Sequence, residues 1–375
     1  MDRPEPLQDV LSPQVVAGVS LPATNAVVDS QSLLRDSFAR EERGSEACNG
    51  SSLSCLDAVL DRCLDWDSFD VFELDVASGS SPLQTIMLYV LKQRGIVERM
   101  DLDVGALKMF LGEMESMYSN KNPYHCSIHA ADVVQAIVAM MQYDSWANGL
   151  EDWEVLALLI SAAGHDVGHD GVTNDFHLRA NSEWARKYGP LTKSVNEYGH
   201  ASITLNLLDG VDTKFFKYKD EKTLQEVKDC VKELILRTDM SLHKTMCDEL
   251  KAISRNRGPD IATWPRREKL TALGSLLHLA DISNPGRPWS LCHKWGRRVQ
   301  EELFLQGDRE NRMGLSPSPR CTREERSTSV NQLAFIKSVI KPFCTQMSIF
   351  APNFIRKIDS NVNVSLERWE TFSVN

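Results

Sequence analysis

Along most of this chain, apolar residues recur at the spacing of an α-helix, and very little interrupts them. Positions i, i+3 and i+4 are apolar through Met109–Met117, Ala130–Met141, Trp153–Ala163, Ala201–Leu208, Val227–Leu236 and Leu270–Leu279. Between Pro123 and Pro259 there is one proline, Pro190. Proline inside a helix removes a hydrogen bond and clashes with the preceding turn, so its scarcity leaves long helices unbroken. Asn122-Pro123, Gly164, Gly210, Asn256-Arg257-Gly258-Pro259 and Asn284-Pro285 punctuate the runs. No alternating segments flank Asn-Gly or Asp-Gly turns, and no repeat of fixed period is present. The expectation is an all-α fold of many helices, each of about 8–20 residues, from about residue 55 onward.

Residues 1–52 read differently. Pro4, Pro6, Pro13 and Pro22 stand among polar residues, which predicts a weakly ordered arm before a helical domain at 53–375. The chain has 375 residues, 42% of them apolar, enough to build a core without disulfides or a structural metal. Its net charge of −10 argues against non-specific binding to nucleic acid or to an anionic membrane. A phosphate substrate stays open, because a bound cation reverses the local field. The nine cysteines include no CxxC pair and read as reduced thiols of a cytoplasmic protein. The N-terminus has neither a basic nor an apolar stretch of a secretory signal. No purely apolar run is longer than that of Val155 to Ile160, which is far too short to span a bilayer.

Three polar clusters interrupt the apolar helices. His125 and His129 are four apart and share a face if helical. His165-Asp166-Val167-Gly168-His169 follows the run ending at Ala163, and Ala280-Asp281-Ile282-Ser283-Asn284-Pro285 closes the run carrying His278. Each places metal-ligand residue types at the edge of a dry core. Imidazole suits zinc, and carboxylate suits zinc or a harder cation. A carboxylate shared by two cations about 3.5–4 Å apart holds a hydroxide between them, machinery suited to phosphate-ester hydrolysis. A single histidine at a helix end is more often a cap or a satisfied core residue. Three such clusters together are poorly explained as unrelated caps.

The segment His165-Asp166-Val167-Gly168-His169-Asp170-Gly171-Val172-Thr173-Asn174 resembles the His-Asp-x2-His-x4-Asn signature of the class I cyclic nucleotide phosphodiesterases. Tyr124-His125…His129-Ala130-Ala131-Asp132-Val133, Thr238-Asp239-Met240, Ala280–Pro285 and Gln332-Leu333-Ala334-Phe335 are similar to further segments of that family, in the same order. The resemblance extends from about Trp66 to Trp369. It implies a compact multi-helix catalytic domain with a metal site at the base of a deep pocket. It implies zinc on His129, His165, Asp166 and Asp281, with Asp166 reaching a second ion, magnesium or manganese. His169, Glu197, Thr238 and Asp239 would orient bound waters or the histidines. His125 would be the general acid that protonates the leaving 3′ oxygen. Tyr124 and Asn284 would contact the nucleotide. Gln332 would hydrogen-bond the purine edge, and Phe335 and Val299 would clamp its faces. The implied reaction turns cAMP, cGMP or both into nucleoside 5′-monophosphates.

Without the resemblance, Phe335 falls in the core pattern Leu333, Ile336, Val339, Ile340. By the same reading Gln332 is an exposed helix residue, Trp295 is packing, and Glu301 and Glu302 are a solvated face. Four departures from the family pattern stand out. Asp170 replaces a usual proline. Tyr198-Gly199-His200 replaces Asn-His-His, leaving one histidine fewer. Cys126 replaces Asn, and Thr322 replaces the Asp that usually follows Cys321. Rival readings are an HD-type phosphohydrolase acting on another nucleotide and a catalytically silent cyclic-nucleotide sensor.

Overall fold

The computed structural model describes residues 52–374, except 211–213, 217–220, 258–260 and 324–327. The expected polar arm, apart from its last residue, lies outside the described residues. The described residues form seventeen α-helices. They are α1 (Ser52–Leu60), α2 (Val71–Ala77), α3 (Pro82–Gln93), α4 (Ile96–Arg99), α5 (Val104–Ser116), α6 (Ser127–Tyr143), α7 (Asp152–Gly164), α8 (Asn174–Arg179), α9 (Glu183–Tyr188), α10 (Val195–Asp209), α11 (Glu221–Leu236), α12 (His243–Asn256), α13 (Arg266–Ile282), α14 (Trp289–Arg312), α15 (Thr328–Phe335), α16 (Lys341–Met347) and α17 (Pro352–Val374). Among the described residues the one β feature is an isolated bridge, Leu102 to Phe216. The all-α expectation is met.

Local chemistry starts these helices where the sequence has short polar residues. Asp70 caps α2 through the amides of Phe72 and Glu73, Asp103 caps α5 through Ala106, and Thr173 caps α8 through Phe176. At the head of α7, Glu151 and Glu154 form a reciprocal capping box.

Three helices are buried on nearly every face and pack on one another: α6 from His129 to Met141, α7 from Glu154 to Gly164, and α13 from Thr271 to Ala280. A helix apolar all round belongs inside a core. Leu156, Leu158, Leu159 and Ile160 are fully buried, each worth roughly 1.5–3 kcal/mol of transfer from water. The polar clusters lie at the ends of these three helices. His129 is in the first turn of α6, His165 is the C-cap of α7, and Asp281 is in the last turn of α13. The C-terminal ends of α7 and α13 carry partial negative charge, which favours a cation there.

Candidate active site

His129, His165, Asp166 and Asp281 each offer a donor atom, and these atoms all lie within 4.8 Å of one another. Nε2 of His129 is 3.0 Å from Oδ1 of Asp281 and 3.7 Å from Oδ2 of Asp166. Nε2 of His165 is 3.0 Å from that Asp166 oxygen and 3.4 Å from that Asp281 oxygen. Nδ1 of His165 lies 2.9 Å from the carbonyl of Ala162, which fixes a proton on Nδ1 and turns Nε2 into the cluster. Burial opposes charge on His165, but Asp166 and Asp281 overcome it and hold the ring well above its ordinary value. Burial likewise opposes ionisation of Asp166 and Asp281, and His165 foremost draws both below the usual carboxylate range.

This donor set fits divalent metal. Two imidazoles and two carboxylates converge at the edge of the core, and Nε2 of His165 and Oδ2 of Asp166 are buried with no well-formed hydrogen bond. The other oxygen of Asp166 faces elsewhere, 3.7 Å from Nε2 of His200. The two oxygens of one carboxylate therefore look toward two different places.

His125 stands just before α6. Its Nδ1 pairs with a carboxylate oxygen of Glu302, whose other oxygen accepts the amides of Tyr124 at 2.9 Å and His125 at 3.0 Å. Burial pulls the pKa of His125 down, but Glu302 and then Asp166 carry it up to about 9. Glu302 is buried on α14, which corrects the expectation of a solvated Glu301-Glu302 face. Glu301 is half-buried and pairs with Arg323 nearer the surface, so neither glutamate forms a fully solvated face.

His169 stacks face to face on His125, with ring centroids 4.0 Å apart, and its Nδ1 accepts the amide of Gly171. His125, His169 and Glu302 thus offer a second trio of donors. The stacked rings hold their in-plane lone pairs side by side rather than aimed at one ion. Burial first, then His125, keep His169 well below its ordinary pKa, so it is the neutral ring of the pair. Asn122 binds the two strands of this loop together, donating to the carbonyls of His125 at 2.9 Å and His169 at 2.8 Å.

Glu197 accepts from Asn174 at 2.9 Å, and burial, with Asp239 next, raises its pKa to about 7. Asp239 caps the short turn Met240–Leu242 and accepts from Ser194. The hydroxyl of Thr238 donates to the carbonyl of Ile235. Neither Thr238 nor Asp239 makes a described hydrogen bond to the four clustered donors.

A cavity of about 210 Å³ adjoins the cluster, with Tyr124, Asn284, Trp295, Val299, Gln332 and Phe335 in its wall. All five residues expected to contact the nucleotide are among them. Trp295, expected only to pack, lies 5.5 Å from the Tyr124 ring and 5.7 Å from the His129 ring. Gln332 is buried rather than exposed, because its stem lies against Gly296 on α14. Phe335 is partly buried, packed against the core on one side and in the cavity wall on the other. Ile336 and Ile340 take the buried places, in a π-helical turn (Ile336–Ile340) that begins directly after Phe335. The amide of Asn284 is fixed at both ends, accepting from the Tyr124 hydroxyl and donating to Asp132 at 3.0 Å. Asp132 in turn holds Arg287, whose guanidinium lies 3.7 Å over the ring of Trp66.

Three of the four departures are accommodated locally, while the hydroxyl of Thr322 is buried with no hydrogen-bond partner among the described residues. Asp170 lies 3.2 Å from His177 and 3.0 Å from Arg309, which closes the loop without a proline. Cys126 is the buried N-cap residue of α6. His200 is the histidine retained beside Asp166, and Gly199 is the position that lacks one.

A family model described as 3′5′-cyclic nucleotide phosphodiesterase matches residues 124–360, and the chain belongs to that family. The dual specificity calcium/calmodulin-dependent 3′,5′-cyclic nucleotide phosphodiesterase 1C of Mus musculus is 36% identical over 304 residues, which is 80% of this chain and 42% of that protein. The corresponding 1B protein of Bos taurus is 34% identical over 291 residues, 77% of this chain and 52% of that one. The chain thus spans about half the length of these curated relatives, or less. Two structures of the phosphodiesterase domain of a rhodopsin phosphodiesterase from the choanoflagellate Salpingoeca rosetta are similar to most of this chain. One has a TM-score of 0.76 at 26% identity and covers 87% of this chain and 95% of that chain. The other scores 0.72 at 27% identity and covers 77% and 90%.

Proposed function

We propose that this domain hydrolyses both cAMP and cGMP to nucleoside 5′-monophosphates, using two divalent metals. The observation that supports this best is the convergence of His129, His165, Asp166 and Asp281 beside a histidine held by a buried carboxylate. His129, His165, Asp166 and Asp281 would hold zinc, and Asp166, through its other oxygen, would share in holding magnesium or manganese. When bound, such ions neutralise phosphoryl charge and lower the pKa of a water enough for attack at neutral pH.

The remaining work belongs to side chains. His125, kept protonated and oriented by Glu302, donates its proton to the departing 3′ oxygen. Phe335 and Val299 grip the base through its faces. The side-chain amide of Gln332 takes part in no hydrogen bond among the described residues, so it can turn to present either donor–acceptor pattern to the purine. That freedom supports both substrates. Tyr124 and Asn284 hold each other and shape the wall. Seven described cysteines, Cys63, Cys126, Cys230, Cys247, Cys292, Cys321 and Cys344, are free thiols, six of them buried, which supports an intracellular, cytoplasmic setting. No helix among the described residues is long and apolar enough to cross a membrane.

The test is release of 5′-monophosphate from cAMP and cGMP, each with and without chelator. The proposal expects turnover of both, abolished by chelation and restored by added divalent metal. Turnover of a nucleoside triphosphate instead would favour the broader HD-type phosphohydrolase reading. Tight binding of cyclic nucleotide with no turnover at any metal concentration would favour a silent sensor.

A further inference from the structure

Gly199 lies inside α10, where glycine gives up about 1 kcal/mol of helix stability relative to alanine. Its surroundings explain why glycine is there. A Cβ added at Gly199 would lie 2.1 Å from the indole of Trp184, on α9. The same indole lies over Gly168, in the turn between Asp166 and His169, where an added Cβ would meet it at 3.7 Å. Gly168 has φ +79°, a conformation that glycine adopts without strain. Trp184 therefore fills the space that Gly199 leaves open beside the metal-binding turn, while at Gly168 it is in ordinary contact and the side chain of Ile203, 2.6 Å from an added Cβ, is the closer neighbour.

Its ring also touches two histidines. It stacks on His177, with centroids 5.8 Å apart and planes 10° apart, and meets His200 edge-on at 5.4 Å. His200 has its Nδ1 tied to the carbonyl of Val167 at 2.8 Å and its Nε2 3.7 Å from Asp166. His177 is tied to Asp170. Two of the departures, Asp170 and Gly199, thus meet at one indole.

We propose that Trp184 is a positioning residue of the metal centre, holding His200 against the outward oxygen of Asp166 in the volume that Gly199 leaves vacant. This rests on the metal reading above. Trp184 touches neither the four clustered donors nor the nucleotide cavity, so its effect should fall on metal binding and not on nucleotide affinity.

The test uses full-length chain stripped with chelator and titrated calorimetrically with Mn²⁺, with circular dichroism as a check on folding. Trp184→Leu should weaken the looser Mn²⁺ equivalent about 10–100-fold, the usual effect of losing a group that orients a ligand. The KM for cyclic nucleotide should stay at its wild-type value. Trp184→Phe, which keeps a ring on His177, should lose much less. Gly199→Ala, which pushes the indole aside without removing it, should weaken the same equivalent. Trp184→Leu combined with Gly199→His should recover affinity by refilling the space. Unchanged Mn²⁺ binding in folded Trp184→Leu and Gly199→Ala overturns the assignment. So does a loss confined to KM. Wild-type chain that binds no Mn²⁺ overturns the metal reading and this proposal together.

Discussion

At the scale of single residues, Glu302 decides what His125 can do. A histidine near its ordinary value is largely deprotonated at neutral pH and is a poor acid there. Metal on Asp166 and Asp281 would mask two of the charges that raise His125, leaving Glu302 as the persistent one. Turnover by the loaded enzyme should therefore fall as pH rises past neutrality, and Glu302→Gln should move that falling limb to lower pH. A pH–rate profile of the two proteins checks this, and coincident limbs would remove Glu302 from the role. The same pair bears on stability. A group raised in the fold stabilises it fully below its unfolded value and loses that contribution as pH climbs through its folded value. For His125 the window runs from about 6.5 to about 9. His125→Ala should lower kcat by about 10²–10⁴-fold with a much smaller change in KM. At the other end of the site, Phe335→Ala should raise KM for both nucleotides by about 1–3 kcal/mol of lost stacking. Gln332→Ala should weaken both as well, since no hydrogen bond among the described residues pins its amide to one pattern. KM values for cAMP and cGMP, measured side by side, check both variants.

At the scale of elements, the helices were the most legible part of the sequence and α14 the least. The apolar period located α6, α7 and α13 to within a few residues, because burial on every face leaves only apolar choices. The clustered His and Asp residues at their ends were legible because each breaks that pattern abruptly. On α14 the inward face is polar: Glu302, Gln306 and Glu310 are spaced four apart and all are buried. Glu302 holds Tyr124 and His125. Gln306 accepts the amide of Thr173, and Glu310 holds Arg179 and Ser318. A search for apolar periodicity passes over such a stripe. The available signal was the four-residue spacing of these polar residues. Asp132 was hidden for a related reason, as its partner Arg287 is distant in sequence. That pair, both members buried, joins α6 to the turn that carries Asn284. Removing one member of a buried pair strands the other charge, so Arg287→Ala should lose about 3–5 kcal/mol in urea unfolding. Asp132→Asn combined with Arg287→Met should recover part of it. A single loss under 1 kcal/mol would show that water reaches Asp132.

At the scale of the whole molecule, the question is whether the fold depends on the metals its site would hold. The helical core is built from α6, α7 and α13, and it buries its apolar residues without help from the four ligands. With no metal, His165 stays protonated against Asp166 and Asp281, so protons take the place of cations. The stripped protein should therefore stay folded, unlike a small domain organised by zinc. Its stability should depend on pH in a way the loaded protein's does not. The raised His165 contributes fully below about 6.5 and is lost as pH rises through its folded value. The lowered Asp166 and Asp281 contribute above about 3.8 and are lost as pH falls through theirs. Chelated protein should thus be most stable between these limits and weaken on the alkaline side. Metal in hundredfold excess over its Kd should add about 2.7 kcal/mol, and binding should release protons as His165 gives up its own. Thermal midpoints against pH, with and without chelator, together with proton release measured in buffers of different ionisation enthalpy, test this. Parallel pH curves for loaded and stripped protein would mean that His165 does not exchange its proton for a metal ion.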